Sequence, residues 1–128
     1  MREKIKEKEK KLVNSFKYAI CGIKTAIKTE QNMKIHVLIL LVVVLAGVML
    51  DISKIEWIIC IILFGLVISA ELVNTSLEAI VDIVKPEMHP KAKIAKDVAA
   101  SSVLVMAVAA AIVGLIIFVP RFIQCFNI

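Results

Sequence analysis

The fold is decided by a stretch of 22 residues without a charged side chain, VAASSVLVMAVAAAIVGLIIFV, at residues 98–119. As an α-helix this stretch rises about 33 Å, which is enough to cross a hydrocarbon core of about 30 Å. In the whole chain of 128 residues, 60% are hydrophobic and 21% are charged. A water-soluble domain of this length cannot bury so much apolar surface. The composition therefore predicts an integral membrane protein made of one domain.

Two further apolar stretches predict membrane-spanning helices. They cover about residues 35–52 and about residues 55–73, with a tight polar turn between them. Each is close to the twenty or so helical residues that a span requires. The chain is therefore predicted to be all-α and to cross the membrane three times. Pro120 and Arg121 are expected to end the third span, which covers residues 98–119.

An amphipathic helix is predicted before the first span, over about residues 12–29. Apolar residues recur there at intervals of three and four, while lysines occupy the other faces. Such a helix lies on the membrane surface, with its lysines among the headgroups and its apolar stripe in the acyl boundary.

The basic residues predict how the chain is oriented. Of the sixteen Lys and Arg, ten lie in residues 2–34 and four in residues 74–97, whereas the turn after the first span and the C-terminal tail hold one each. The positive-inside rule places the N-terminus and residues 74–97 in the cytoplasm. The net charge of +5 lies beside apolar segments, so it indicates binding to anionic lipid headgroups rather than to nucleic acid.

Small residues form one face of the third predicted span. Such a face favours close contact with another helix in a membrane, and a chain with so few helices is expected to oligomerise. The residues of this small face are Ala100, Ala107, Ala111 and Gly114.

A stripe of polar residues follows the apolar part of the second predicted span. Glu71, Asn74, Glu78 and Asp82 are separated by three, four and four residues, which places them on one face of a continuing helix. Carboxylates stacked in this way repel each other, and each is costly near the hydrocarbon. Mg²⁺ is the simplest compensation, because it prefers carboxylate oxygens and commonly takes phosphate oxygens as its other ligands.

Residues from elsewhere in the chain extend this site. Glu30 lies just before the first span, and Lys96 and Asp97 lie just before the third, all on the same predicted face of the membrane. The chain has only four glycines, none of them clustered, and no GxxxxGK[ST] motif. Metal and side chains, rather than a glycine-rich loop, must therefore bind any nucleotide.

Several of these polar residues also have plainer explanations. An intramembrane carboxylate such as Glu71 or Glu78 is a functional candidate, but Asn74 alone fits an ordinary interhelical hydrogen bond equally well. The residues that, taken singly, read as solvated charges, anchors or interface residues are His36, Asp82, Glu87, His89, Lys96 and Asp97.

Two runs of residues resemble the signature of the prokaryotic diacylglycerol kinase family. One is E-x-x-N-[ST]-x-x-E-x-x-x-D at residues 71–82, and the other is KIAKDVAA at residues 93–100. With Glu30 and the three spans, the resemblance covers the chain from about Ser15 onward. The segment HPKAKIAKDVAA at residues 89–100 is similar to the Gram-positive branch of the family, whose members mainly phosphorylate undecaprenol.

The resemblance implies a homotrimeric kinase of the bacterial cytoplasmic membrane, with active sites between subunits. It implies that Glu71 takes the proton from the lipid hydroxyl beside Asn74, and that Glu30 and Glu78 bind Mg²⁺ together with the phosphates of ATP. The further nucleotide contacts that it implies are Tyr18, Asp82, Glu87, His89, Lys96 and Asp97.

Undecaprenol kinase is therefore the expected activity, and diacylglycerol kinase is the alternative, since both lipids present one hydroxyl at the interface. A rival from another class is a small ion-binding transporter. The ionisable residues of a transporter lie near the middle of the membrane, whereas Glu71 and the acids after it leave the second span on the cytoplasmic side. That placement favours phosphoryl transfer.

Overall fold

The computed structural model describes residues 1–87 and 89–126, and within these ranges all regular structure is α-helical. The helices are α1 at Arg2–Thr29, α2 at Gln31–Met49, α3 at Lys54–Val84 and α4 at Pro90–Phe126. Helices α2, α3 and α4 are each long and apolar enough to cross a membrane. The prediction of an all-α chain with three candidate spans is therefore confirmed.

Helix α1 is longer than the predicted surface helix, because it begins at Arg2 rather than near residue 12. Its first turns are rich in Glu and Lys, which are good helix formers, and Glu7 precedes Lys11 by four residues, the spacing of a favourable ion pair. At the other end, Glu30 has extended backbone angles, φ −94° and ψ 123°, and separates α1 from α2.

The turn between α2 and α3 is built by three polar residues. Asp51 has a φ of 47°, a left-handed conformation that no α-helix continues, so α2 ends at Met49, slightly before the predicted boundary at residue 52. Ser53 then starts α3: its hydroxyl accepts a hydrogen bond from the Glu56 backbone N–H at 3.3 Å. The Glu56 carboxylate accepts one from the Ser53 N–H at 2.6 Å. This reciprocal capping box stabilises the helix start.

Helix α4 is longer than the third predicted span, because it continues through Pro120 and Arg121 to Phe126. Proline lacks the N–H that would complete the helical ladder at that turn. The loss is offset by Arg121, whose guanidinium donates to the Asp51 carbonyl at 2.9 Å and to the Glu56 carboxylate at 2.6 Å. The last turns of α4 are thereby tied to the α2–α3 turn.

Helices α3 and α4 form the most extensive pairing, and α1 and α2 pack beside them. The apolar core is small, and its fully buried members Ile52, Cys60 and Ile117 lie at the end that carries the α2–α3 turn. Most apolar side chains face outward; Leu45 and Leu104, for example, are each 64% exposed. Surfaces of this kind require lipid or another subunit to cover them.

Candidate active site

Glu71 is the most deeply buried charged residue among those described, with 1% of its surface exposed. It lies on α3 and lines a cavity of about 220 Å³ together with Asn74, with His36 of α2, and with Ala100 and Val103 of α4. Its Oε2 has no hydrogen-bond partner within the described part of the chain. A buried carboxylate oxygen left in this way costs about 1–3 kcal/mol or more, so it indicates a position prepared for a hydrogen-bond donor.

Asn74 stands one turn further along α3 and is also buried, with 6% of its surface exposed. Its amide nitrogen donates to Oε1 of Glu78 at 3.2 Å. Its Oδ1, like Oε2 of Glu71, has no partner among the described residues. The cavity thus contains two buried oxygen acceptors, either of which can accept the single O–H of an alcohol.

Burial decreases along the polar stripe. Glu71 and Asn74 are buried and Glu78 is half-buried, whereas the Asp82 side chain is 63% exposed. Asp82 pairs with Lys96 of α4 at 2.6 Å. Because Lys96 precedes the apolar part of α4, it stays outside the hydrocarbon, and the hydrogen bond that it donates to Asp82 raises the pKa of its ammonium group. The stripe therefore runs from the helix interior to an exposed ion pair.

A second polar cavity, of about 570 Å³, lies where α3 ends and α4 begins. Five of the predicted nucleotide-binding residues line it: Asp82, Glu87, His89, Lys96 and Asp97. The first turn of α4 also borders this cavity, and the positive end of a helix dipole favours phosphate. The arrangement suits a phosphorylated ligand.

Glu78 lies along α3 between residues that line the two cavities, but it lines neither of them. It accepts the hydrogen bond from Asn74 on one side, and its negative charge acts on Lys96 on the other. Glu30 lies half-buried between α1 and α2, where its carboxylate is close enough to repel that of Glu71. Tyr18 is 74% exposed on α1 and lines neither cavity. Within one chain, two of the predicted site residues line the Glu71 cavity and five line the second polar cavity, whereas Tyr18, Glu30 and Glu78 line neither.

Within residues 1–87 and 89–126, no group of three His, Cys, Asp or Glu side chains is placed to hold a metal ion. Glu30 and Glu78 both offer carboxylate oxygens, and both are half-buried. Mg²⁺ is commonly held by one or two carboxylates together with phosphate oxygens of the substrate. The pair therefore fits an ion that arrives with a nucleotide rather than an ion bound by the protein alone.

Two residues of the Glu71 cavity were not predicted as site residues. The sequence pattern indicates only an interface role for His36 and none for Asn32, yet both line the cavity that contains Glu71. Their spacing of four residues, directly after Glu30, was the available signal, because it places both on one face of α2.

Comparison with known proteins identifies relatives over most of the chain. The sequence model of the family described as "Prokaryotic diacylglycerol kinase" matches residues 17–118. The chain is 42% identical to undecaprenol kinase of Bacillus subtilis over 107 residues, which is 84% of this chain and 87% of that protein. It is 40% identical to diacylglycerol kinase of Synechocystis over 110 residues, or 85% and 63% of the two chains. Against diacylglycerol kinase of Haemophilus influenzae it is 33% identical over 105 residues, or 82% and 86%.

These matches confirm the resemblance first seen in the motifs at residues 71–82 and 93–100, both of which lie inside the matched range. The family and the three apolar helices together make this a membrane protein. The named relatives are kinases, which disfavours the transporter interpretation. The chain belongs to the prokaryotic diacylglycerol kinase family.

Proposed function

We propose that this protein is a lipid kinase that transfers the γ-phosphoryl group of ATP to the hydroxyl of undecaprenol, giving undecaprenyl phosphate and ADP. The observation that carries the proposal is the buried Glu71, with its unpartnered Oε2, in a chain 42% identical to an undecaprenol kinase. Diacylglycerol is the second candidate substrate, because other relatives are named diacylglycerol kinases.

Glu71 acts in this proposal as the general base. Its free Oε2 accepts the proton of the lipid hydroxyl while the hydroxyl oxygen attacks the γ-phosphorus of ATP. The bond between that phosphorus and the β–γ bridging oxygen breaks, and ADP leaves. Phosphoryl transfer depends mainly on positioning and charge neutralisation, so a buried base that holds the alcohol in line contributes much of what is required.

Asn74 positions the reacting groups. Its amide nitrogen holds the Glu78 carboxylate at 3.2 Å, and its side chain lines the cavity beside Glu71. Glu78 with Glu30 would hold Mg²⁺ against the phosphates of ATP. The ion, when bound, neutralises phosphate charge and polarises the phosphoryl oxygens.

The second polar cavity binds the remainder of the nucleotide. Lys96 leaves its ion pair with Asp82 and neutralises the charge of the phosphates instead. The positive end of the α4 dipole also favours phosphate there. The residues proposed to complete the nucleotide site are Tyr18, Asp82, Glu87, His89 and Asp97.

We place the N-terminus and the loop between α3 and α4 in the cytoplasm of a bacterium, with α1 on the membrane surface. The distribution of Lys and Arg supports this orientation. We also propose a homotrimer, because the outer faces of the three apolar helices are exposed in the single chain and because Tyr18 approaches neither cavity of its own chain. A neighbouring subunit is the natural source of a complete site.

The experiment that tests the function is phosphate transfer from γ-labelled ATP by the detergent-purified full chain, offered undecaprenol and dioleoylglycerol separately. Glu71→Gln removes the basic carboxylate while keeping the size and shape of the side chain. Glu9→Gln is the matched control, because Glu9 is exposed on α1. We expect preferential labelling of undecaprenol, lost by about 10²-fold or more in Glu71→Gln and kept in Glu9→Gln. Preferential labelling of dioleoylglycerol supports the second candidate, and labelling of neither lipid contradicts the proposal.

A further inference from the structure

An apolar crevice of about 200 Å³ lies between α2, α3 and α4, in the apolar part of the bundle. All three helices contribute to its walls, and the residues that matter most here are Val43, Cys60, Phe64, Val67, Gly114 and Ile117. The apolar core at this level therefore does not close completely.

The crevice adjoins the Glu71 cavity. His36 and Ala107 line both spaces, so an elongated ligand lying in the crevice would have one end beside the two unpartnered oxygens of Glu71 and Asn74. Along α4 the crevice extends from Ala107 to Phe118. Eleven helical rises cover about 16 Å, roughly half of the hydrocarbon core. The two spaces together match a hydroxyl followed by the first part of a long hydrocarbon chain.

Small residues keep the crevice open. A Cβ placed on Gly114 would meet no atom within 4 Å. Gly114 belongs to the small face that the sequence predicts for close helix contact, but within this chain it borders open space instead. Filling the crevice at this position therefore requires no movement of neighbouring atoms.

The chemistry of the lining distinguishes between the two candidate lipids. Among the crevice residues, only His36 and the weakly donating thiol of Cys60 can donate a hydrogen bond from a side chain. The ester carbonyls of a glyceride lie close to its hydroxyl and would lose hydrogen bonds here, which is unfavourable for buried polar groups. The chain of a polyprenol has no polar atom beyond its hydroxyl.

We propose that this crevice binds the isoprenoid units next to the hydroxyl of a polyprenol, with His36 at the junction where the hydroxyl reaches Glu71. This inference rests on the proposed function and assigns its substrate class. A helix of a second copy is the other apolar occupant to be tested. The backbone N–H groups of such a helix already bond within the helix, so they cannot donate to the free oxygens of Glu71 and Asn74.

The first test compares two leucine variants of the full chain. Gly114→Leu places a leucine side chain in the crevice. Gly65→Leu is the control, because a Cβ at Gly65 also meets no atom within 4 Å but Gly65 does not line the crevice. We expect Gly114→Leu to raise the apparent KM for undecaprenol by about 10-fold or more with an unchanged KM for MgATP. Gly65→Leu is expected to stay close to wild type in both constants.

Equal lipid KM values in the two variants would overturn the crevice proposal while leaving the kinase activity intact. The proposed function fails separately, if the wild-type chain phosphorylates no lipid alcohol. The two failures are therefore distinguishable in one set of assays.

A second test requires neither turnover nor a stable variant. A short prenol with a diazirine on its second isoprenoid unit is irradiated with the wild-type protein, and the adducts are mapped by mass spectrometry. We expect adducts on crevice residues such as Cys60 and Phe64, which excess undecaprenol removes. Adducts confined to outer faces, for example at Ile61 and Leu115, would show that the prenol does not enter the crevice and would overturn the proposal.

Discussion

The side-chain amide of Asn74 donates a hydrogen bond to Oε1 of Glu78 at 3.2 Å, one helical turn further along α3. The bond joins a buried residue of the Glu71 cavity to a half-buried carboxylate whose charge also acts on Lys96. It therefore links the part of the site proposed for the alcohol to the part proposed for the nucleotide.

Asn74→Ala removes this link, and we expect kcat/KM for MgATP to fall by about 10- to 100-fold. A hydrogen bond to a charged group contributes about 1.5–3 kcal/mol, and each 1.4 kcal/mol or so corresponds to a factor of ten. Ser76→Ala is the control, because the exposed Ser76 hydroxyl bonds only to the Val73 carbonyl of its own helix. An unchanged kcat/KM in Asn74→Ala would contradict the positioning role.

Lys96→Gln is expected to raise KM for MgATP by about 10-fold, because it removes the charge proposed to neutralise phosphate. Lys54→Gln, an exposed change at the opposite end of α3, is the control. The hydrogen bond to Asp82 raises the pKa of Lys96. The ammonium group therefore stays protonated up to the ordinary lysine pKa and loses its proton only at a higher pH. MgATP affinity should therefore not fall between about pH 7 and pH 9; a fall that disappears in Lys96→Gln would argue against this assignment.

Arg121→Ala is expected to destabilise the fold by about 1–2 kcal/mol, since it removes two charge-assisted hydrogen bonds that are partly screened by solvent. The bonds reach the Asp51 carbonyl and Glu56, and the two paired side chains are 31% and 22% exposed. Thermal unfolding in detergent measures the change, with Arg2→Ala on the exposed part of α1 as the control. KM for MgATP should stay constant, because the bonds of Arg121 lie at the start of α3 and the proposed nucleotide site lies at its end. An unchanged unfolding midpoint would show that Arg121 does not stabilise α4.

Gly47→Ala is expected to destabilise the protein by about 1–3 kcal/mol through overpacking. A Cβ at residue 47 would stand 2.7 Å from Cη2 and 2.8 Å from Cζ2 of Trp57, whose rigid ring must then shift. Gly22→Ala is the matched variant in α1, where a Cβ meets nothing within 4 Å. It should be neutral or stabilising by up to about 1 kcal/mol, from helix propensity. Equal unfolding midpoints for the two variants would contradict the close packing of α2 on Trp57.

Local patterns predicted much of the helical structure and part of the site. The apolar stretches correspond to α2, α3 and α4, and the spacing of Glu71, Asn74 and Glu78 correctly indicates a helix that continues beyond the apolar part of α3. The apolar pattern does not indicate that α4 continues past Pro120, where Arg121 forms bonds to residues about seventy positions earlier in the chain. Rules based on neighbouring residues cannot predict a contact between residues so far apart in the chain.

The sequence by itself determined that this is a helical chain with three candidate membrane spans and a polar face on α3, because spacing along a helix depends only on its 3.6-residue repeat. The tertiary structure alone decided that His36 of α2 meets Glu71, that Asp82 and Lys96 form a second group, and that Gly114 borders a crevice. Those relationships depend on how each helix is rotated and spaced against its neighbours. Rotation and spacing follow from side-chain packing between helices, which the apolar repeat of any one helix does not specify.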